Sequence, residues 1–396
     1  MTDSPPAEEA GRLLEGAIDA LPKGRLAEQL AADRPLRVKL GIDPTAPDIH
    51  LGHVVVLDKL RAFQDAGHTV VLIIGDYTAR IGDPSGRSVE RPVLTDQEID
   101  ANARTFQDQA FKVLDAERTE VRRNSEWLSM PSDDLFRLIR RFTVARLLER
   151  DEFTRRMQEA EPISMLELLY PVLQGYDSVA IEADVELGGS DQTFNLLFAR
   201  DVQESFGNDP QSVVTLPILP GTDGVRRMSK SAGNYVGVTD APEEMFGKLM
   251  SVPDQAMAEY YRLLLGSELD PNRHPGEAKR DLSRRLVERF HGADAGAEAE
   301  ARFDQLHVRG EIPEEIDEAV LDTDGAGAPV HLPAVLAEHF DLSRSEARRL
   351  IEQGGVRISG RVVDSGRVDL PAEELDGEVL QVGKRRHIRL RLAGGA

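Results

Sequence analysis

The stretch "LRVKLGIDPTAPDIHLGHVVVLDKLRAFQDAGHTVVLIIG", residues 36–75, decides the fold. Residues 36 to 43 read as a buried strand. A Pro-containing turn leads from it into a helix from about 51 to 66, and a second apolar strand follows at 69 to 74. Strand, helix, strand in so short a span is a βαβ unit, which implies a parallel sheet with ligands at the carboxyl ends of its strands. The same stretch sets His50 and His53 around Gly52 just where the helix begins. The pair shares one helix face and would suit a metal, but no third ligand stands nearby and the general base of H-E-x-x-H is missing, so no metal site is assigned. A helix start gathers anions, because its first N–H groups lack partners, and two imidazoles there add donors toward a phosphate. Gly52 would let a flat base approach the backbone. Together these describe a nucleoside triphosphate seat that is not a P-loop, since no G-x-x-x-x-G-K-[ST] occurs in the chain.

Beyond this unit the chain offers a Gly-rich loop, "GDYTARIGDPSGRS" (75–88), and a helix from about 95 to 115 that "TDQE" introduces with capping-box spacing. A strand is expected near 119 to 123, then a mostly helical stretch from 132 to 175. "VAIEADVELGG" (179–189) and a helix from 190 to 206 return the chain to the sheet, with "GGSDQ" at the strand-to-helix junction. From about 240 to 320 the pattern is helical, acidic and free of strand signals. "DTDGAGAP" (322–329) is a linker by composition. "SRSEARRLIEQGG" (343–355) reads as a helix capped by Ser343 and ended by Gly354 or Gly355, and "VRISG", "GEVLQVG" and "KRRHIRLRL" read as short strands.

At 396 residues and 40% apolar content the chain can bury two or three cores. Its first residues carry neither a basic start nor an apolar stretch of signal-peptide length, and no run is long enough to cross a bilayer, which points to the cytoplasm. It has no cysteine, which excludes disulfides, thiolate metal sites and a thiol nucleophile. The net charge of −22 argues against a nucleic-acid partner, but it is uneven: residues 331–396 hold 11 basic against 10 acidic side chains, the rest 37 against 60.

The second half of the site lies far along the chain, in "DGVRRMSKSAGN" (223–234). A mobile loop with Arg227 and Lys230, and with Ser229 and Ser231 as hydroxyl donors, can close over a triphosphate and meet the charge developing on a leaving group. H-L-G-H after the first strand and R-M-S-K-S after the last resemble the two signatures of class I aminoacyl-tRNA synthetases, with Arg227 where lysine is usual. "GIDPTAPDIHLGH", "IGDPSGRSVER", "YPVLQGYDS" and "GGSDQ" extend the resemblance, over nearly the whole chain, to the bacterial tyrosyl-tRNA synthetases.

The resemblance implies an α/β fold: a Rossmann-like parallel-sheet catalytic domain at 1–238 with a helical dimer-interface insertion at about 125–178, a helical anticodon-side domain at 239–325, and a small α+β RNA-binding domain at 331–396. It implies a homodimeric ligase that activates L-tyrosine with ATP, with Mg²⁺ accompanying the triphosphate, and then charges tRNA(Tyr). Asp177 would hold the phenol hydroxyl, because a buried carboxylate that tyrosine satisfies and phenylalanine leaves unpaired discriminates better than apolar contact. Asp83, Tyr170, Gln174 and Gln192 match the positions for the substrate ammonium and carboxylate, with Thr78 and Gly41 lining the same pocket. Asp43, Thr45, His50, Gly52 and His53 match nucleotide and phosphate contacts, Gly189 and Asp191 ribose contacts, and Met228, Ser229 and Ser231 the second signature's contacts. Arg87 and Arg91 match basic positions that stabilise departing pyrophosphate, beside Arg227 and Lys230. One departure stands out: Lys39 occupies the place of a tyrosine that serves as second phenol partner in the better-studied branch, and a lysine could donate to the phenol oxygen or pair with a carboxylate.

For RNA, Arg344, Arg348, Arg349, Lys384, Arg385 and Arg386 could face phosphate. A second basic stretch, "RLIRRFTVARLLERDEFTRR" (137–156), carries seven arginines that serve either tRNA or intersubunit ion pairs. The rivals are the sister tryptophan enzyme, against which Asp177, Tyr170 and Gln174 argue, a non-catalytic RNA-binding paralogue, and a small-molecule nucleotidyltransferase, which has no use for the basic tail.

Overall fold

The computed structural model describes residues 5–32, 34–83, 94–308, 318–321, 329–340, 342–383 and 386–392. The chain divides into two compact units, residues 1–296 and 297–396.

The first unit is built on a six-stranded sheet: β1 (Asp19–Leu21), β2 (Arg37–Ile42), β3 (Thr69–Ile74), β4 (Thr119–Arg123), β5 (Val185–Gly189) and β6 (Ser212–Leu216), in the order β1-β6-β5-β2-β3-β4. All neighbours are parallel except the edge pair β1–β6. The runs "VVLII" and "SVVTL" are buried throughout, as strands covered on both faces must be. The chain builds the sheet outward from β2 through β3 to β4, then returns to the other side of β2 for β5 and β6. The β2/β5 boundary is therefore the topological switch point, where a ligand crevice opens outside the strand ends. Helix Leu51–Asp65 follows β2 and buries Leu51, Val54, Leu57, Leu60 and Phe63. Helices Met165–Ala180 and Thr193–Phe206 flank β5 and pack on each other. They close so tightly that a Cβ on Gly175 would lie 2.5 Å from Val202 Cγ2.

The expected helical block proves to have two parts. Helices Pro242–Met250, Met257–Leu265 and Pro275–His291 fall in the first compact unit. The expectation of no strand before residue 320 fails. Glu318–Leu321 forms β7, which runs parallel to the C-terminal strand of the second unit. A four-residue strand with every second side chain buried leaves too short a period to be read.

The second unit carries β7 to β13. Its main sheet, in the order β10-β9-β12-β13-β7, joins β10 (Arg361–Val362), β9 (Val356–Ile358), β12 (Val379–Val382), β13 (Arg386–Leu392) and β7. A two-stranded ladder pairs β8 (Pro329–His331) with β11 (Asp369–Pro371). Helices Leu332–His339 and Arg344–Glu352 complete a separate apolar core that includes Leu332, Leu336, Ala347, Val356 and Leu390. Ser343 caps the second helix in a capping box with Glu346, and Thr95 caps Asp96–Ala110 with Glu98 in the same way. Linker residues 322–328 lie outside the described residues.

Candidate active site

The crevice at the switch point is a cavity of about 550 Å³. Every catalytic, amino-acid or nucleotide candidate named above that falls within the described residues lines it: Gly41, Asp43, Thr45, His50, Gly52, His53, Thr78, Asp83, Tyr170, Gln174, Asp177, Gly189, Asp191, Gln192, Arg227, Met228, Ser229, Lys230 and Ser231. Arg87 and Arg91 lie outside the described residues, as do Lys384 and Arg385.

The two signature segments meet through main-chain bonds. Leu51 N–H donates to Val236 C=O at 2.9 Å and Val238 N–H to Ile49 C=O at 3.0 Å, so the chain leaving the basic loop is stitched to the start of the histidine helix. Met228 N–H donates to Leu219 C=O at 3.0 Å at the other end. Between these moorings the buried amide of Asn234 accepts from Ser229 N–H at 2.9 Å and donates to Arg227 C=O at 3.1 Å and Asp223 Oδ2 at 3.0 Å. Lys230 pairs with Asp48, and Arg227 donates to Asp191 Oδ2 at 2.8 Å. The loop expected to be mobile thus has its cations docked on carboxylates at the cavity rim.

His50 N–H donates to His53 Nδ1 at 3.2 Å, and the two rings stack with centroids 3.9 Å apart. With Nδ1 accepting, the ring proton of His53 sits on Nε2. Burial is the main cause that holds both imidazoles neutral: His50 titrates well below the usual histidine range and His53 is pushed down to about 4, with Lys230 adding to both shifts. Each is then a neutral donor toward an anion, not a cation. Gly52 also gives the His50 ring its room, since a Cβ there would stand 3.0 Å from His50 Cε1 and Nδ1 and press the ring aside.

At the deep end lies Asp177, 3% exposed. Burial pushes its carboxyl up to about 7, against the opposing influence of Lys39 and of the hydrogen bonds from Trp127 and Asn124. Trp127 Nε1–H donates to Oδ1 at 2.8 Å, while Asn124 Nδ2 stands 3.5 Å from Oδ2. Neither residue was read from the sequence. The one signal was that Trp127 is the chain's single tryptophan, which its position alone does not connect to Asp177. Tyr170 O–H donates to Asp43 Oδ2 at 2.9 Å and Thr78 O–H to Asp43 Oδ1 at 2.7 Å, while Asn124 donates to Thr78 Oγ1 at 2.9 Å. Burial, then Asp43, raises the Tyr170 phenol well above its ordinary value.

Lys39 pairs with a carboxylate, the second of its two expected uses. Its Nζ lies 2.9 Å from Glu186 Oε1 and donates to Ser178 Oγ at 2.8 Å and to Gln174 C=O at 3.0 Å. Lys39 and Glu186 are register partners on β2 and β5 and are 0% and 1% exposed. Gln174 Nε2 also donates to Glu186 Oε1, at 3.2 Å, and Gln211 to its other oxygen. Gln174 Oε1 has no partner.

Of the arginine-rich stretch, Arg137, Arg146, Arg155 and Arg156 form ion pairs with Asp134, Asp201, Glu159 and Glu167. Arg141 donates to Ser205 C=O, and Arg150 is buried beside Asn195. The same region exposes Phe136, Val144, Met157, Met165 and Leu166. In the second unit Arg344, Arg348, Arg349 and Arg386 are exposed.

Residues 31–308 match the model of the class I tRNA synthetases (W and Y), and residues 332–372 match the S4 domain. A tyrosine–tRNA ligase of Bordetella avium is 48% identical over 394 residues, covering 96% of this chain and 95% of that protein. One from Moorella thermoacetica is 48% identical over 396 residues, covering 96% and 94%. The chain belongs to the class I tRNA synthetases of the tryptophan and tyrosine type, and within them to the tyrosine–tRNA ligases. The fold is shared with a mitochondrial tyrosyl-tRNA synthetase of Aspergillus nidulans, with TM-score 0.63 at 21% identity over 76% of this chain and 94% of that one. It is shared too with the tyrosyl-tRNA synthetase of Archaeoglobus fulgidus in complex with L-tyrosine, with TM-score 0.59 at 22% identity over 74% and 99%.

Proposed function

We infer that the cavity seats tyrosine and ATP together, phenol inward at Asp177 and triphosphate outward between the histidines and Lys230. As a tyrosine–tRNA ligase the chain joins L-tyrosine to ATP as tyrosyl-adenylate, releasing pyrophosphate, and passes the tyrosyl group to the 3′-terminal adenosine of tRNA(Tyr). The observation that carries the substrate reading is Asp177: a buried carboxylate lining the cavity, whose Oδ1 accepts from Trp127 and whose Oδ2 has only a long contact, 3.5 Å, from Asn124, so that a phenol hydroxyl would complete its hydrogen bonding. Lys39, spent on Glu186, is no second phenol partner.

Asp83, Gln192, Tyr170 and Gln174 then receive the ammonium and carboxylate. The carboxylate oxygen attacks the α-phosphorus in line, the bond to the β-phosphate oxygen breaks, and the electron pair leaves with pyrophosphate. His50 and His53 donate from neutral rings, while Lys230 and Arg227 exchange Asp48 and Asp191 for phosphate oxygens. Asp191, freed of Arg227, and the Gly189 backbone serve the ribose. Asp43, Thr45, Gly52, Met228, Ser229 and Ser231 complete the nucleotide wall, and the family resemblance assigns Arg87 and Arg91 to the charge of the departing pyrophosphate. Mg²⁺ would accompany the triphosphate, carried on its phosphate oxygens.

The exposed apolar patch around Phe136 and Met165 supports a homodimer, and the arginines of Arg344–Glu352 support tRNA contact by the S4 domain. Among the described residues no helix is long and apolar enough to cross a membrane. The decisive assay is amino-acid-dependent exchange of pyrophosphate into ATP. Tyrosine should support it and tryptophan should not; the opposite result would overturn the reading. Asp177→Asn should narrow the preference for tyrosine over phenylalanine by about 10- to 100-fold, the equivalent of about 1–3 kcal/mol.

A further inference from the structure

Four side chains close a ring beneath the cavity. Arg150, 5% exposed, precedes helix Asp151–Gln158 in the helical insertion, and its guanidinium donates to Asn195 Oδ1 at 3.2 Å. Asn195, 1% exposed, donates through Nδ2 to Gln192 Oε1 at 3.1 Å. Gln192 donates through Nε2 to Asp83 Oδ2 at 2.7 Å, and Asp83 Oδ1 lies 4.0 Å from Arg150 NH2, which also faces Glu152 at 3.5 Å. A guanidinium only donates and an ionised carboxylate only accepts, so the ring has one direction, set at both ends. Either amide, turned over, would set oxygen against oxygen and nitrogen against nitrogen. An amide whose orientation would otherwise be free is thereby fixed with its N–H face toward Asp83 and the cavity.

We propose that Arg150, acting through Asn195, is a positioning residue for the amino-acid end of the substrate: it keeps Gln192 turned as a donor for the carboxylate and Asp83 placed as an acceptor for the ammonium. This rests on the reading of Asp83 and Gln192 given above. A zwitterion needs a donor and an acceptor side by side, and that is what the ring presents.

The test is steady-state pyrophosphate exchange with Arg150→Gln, Arg150→Lys, Asn195→Asp and Asp83→Asn. Arg150→Gln should raise the tyrosine KM about tenfold or more while kcat and the KM for ATP change less than about threefold and the ratio of kcat/KM for tyrosine over phenylalanine is kept. Arg150→Lys should recover part of the loss. Asn195→Asp is isosteric but turns the central donor into an acceptor facing Gln192 Oε1, so it should match Arg150→Gln and serves where that variant folds poorly. An unchanged tyrosine KM in Arg150→Gln and Asn195→Asp, with Asp83→Asn impaired, overturns the role of Arg150 alone. A loss shared equally by tyrosine KM, ATP KM and the tyrosine-to-phenylalanine ratio also overturns it, because that is the mark of general loosening. An unchanged KM in Asp83→Asn removes the underlying reading of the pocket and the proposal with it.

Discussion

Lys39 and Glu186 face each other across the one strand boundary where a ligand crevice opens, with both charges out of water. Such a pair adds little net stability over an apolar pair, yet removing one partner strands the other charge. Lys39→Met should therefore destabilise the fold by about 3–5 kcal/mol in urea unfolding, and the double variant Lys39→Met, Glu186→Met by clearly less than the two single losses together. Asp177 makes a prediction of opposite kind, in pH. Its carboxyl is raised to about 7 in the fold and returns to its ordinary value near 4 when unfolded. The folded state thus holds a proton that the unfolded chain has released, and stability from this group falls as pH rises from about 4 to about 7. Tyrosine affinity moves the other way, because the ionised carboxylate is the better acceptor for a phenol: the tyrosine KM should drop as pH rises through about 7. Both trends should vanish in Asp177→Asn. His53, lowered to about 4, adds stability that is lost as pH falls from about 6.5 toward 4.

At the scale of elements, the basic loop behaves as a span between two fixed ends whose cations rest on carboxylates. Lys230→Ala should slow adenylate formation far more than it weakens tyrosine binding in pre-steady-state measurements; equal losses would contradict its place at the triphosphate. What could be read from sequence at this scale follows from physics. β2, helix Leu51–Asp65 and β3 were legible because a long apolar period and a helix start stood side by side, the capping box at Thr95 because Glu98 follows at the right spacing, and Ser343 as an N-cap. β1, β6 and β7 were not, since so few residues show no period and none of the three has the glycines within two residues on either side that mark out β9 and β12. Within the site the residues of contiguous motifs were legible, whereas Trp127 and Asn124 act on Asp177 from positions that only tertiary structure brings near, and Asn195 and Asp48, though close to those motifs in sequence, carry no signal of their partners Arg150 and Lys230. Lys39 was legible as a departure but its partner was not, because strand register decides it.

At the scale of the molecule, the whole cavity is lined by residues between Leu40 and Ser231, inside the first compact unit, and the second unit has an apolar core of its own. A chain ending after residue 303 should retain tyrosine-dependent pyrophosphate exchange and lose most of its ability to charge tRNA(Tyr), measured by acylation of the transcript; loss of exchange would mean that the second unit supports the site. The backbone stitching of 236–238 to 49–51 has a wider bearing. Because the flap is tied down at either end, its span is fixed while its side chains are not. Trading arginine for lysine at position 227 leaves the ties untouched, but inserting or deleting even one residue between them would shift every cation along the rim, so in this enzyme the flap tolerates a substitution that keeps its charge better than a change in its length.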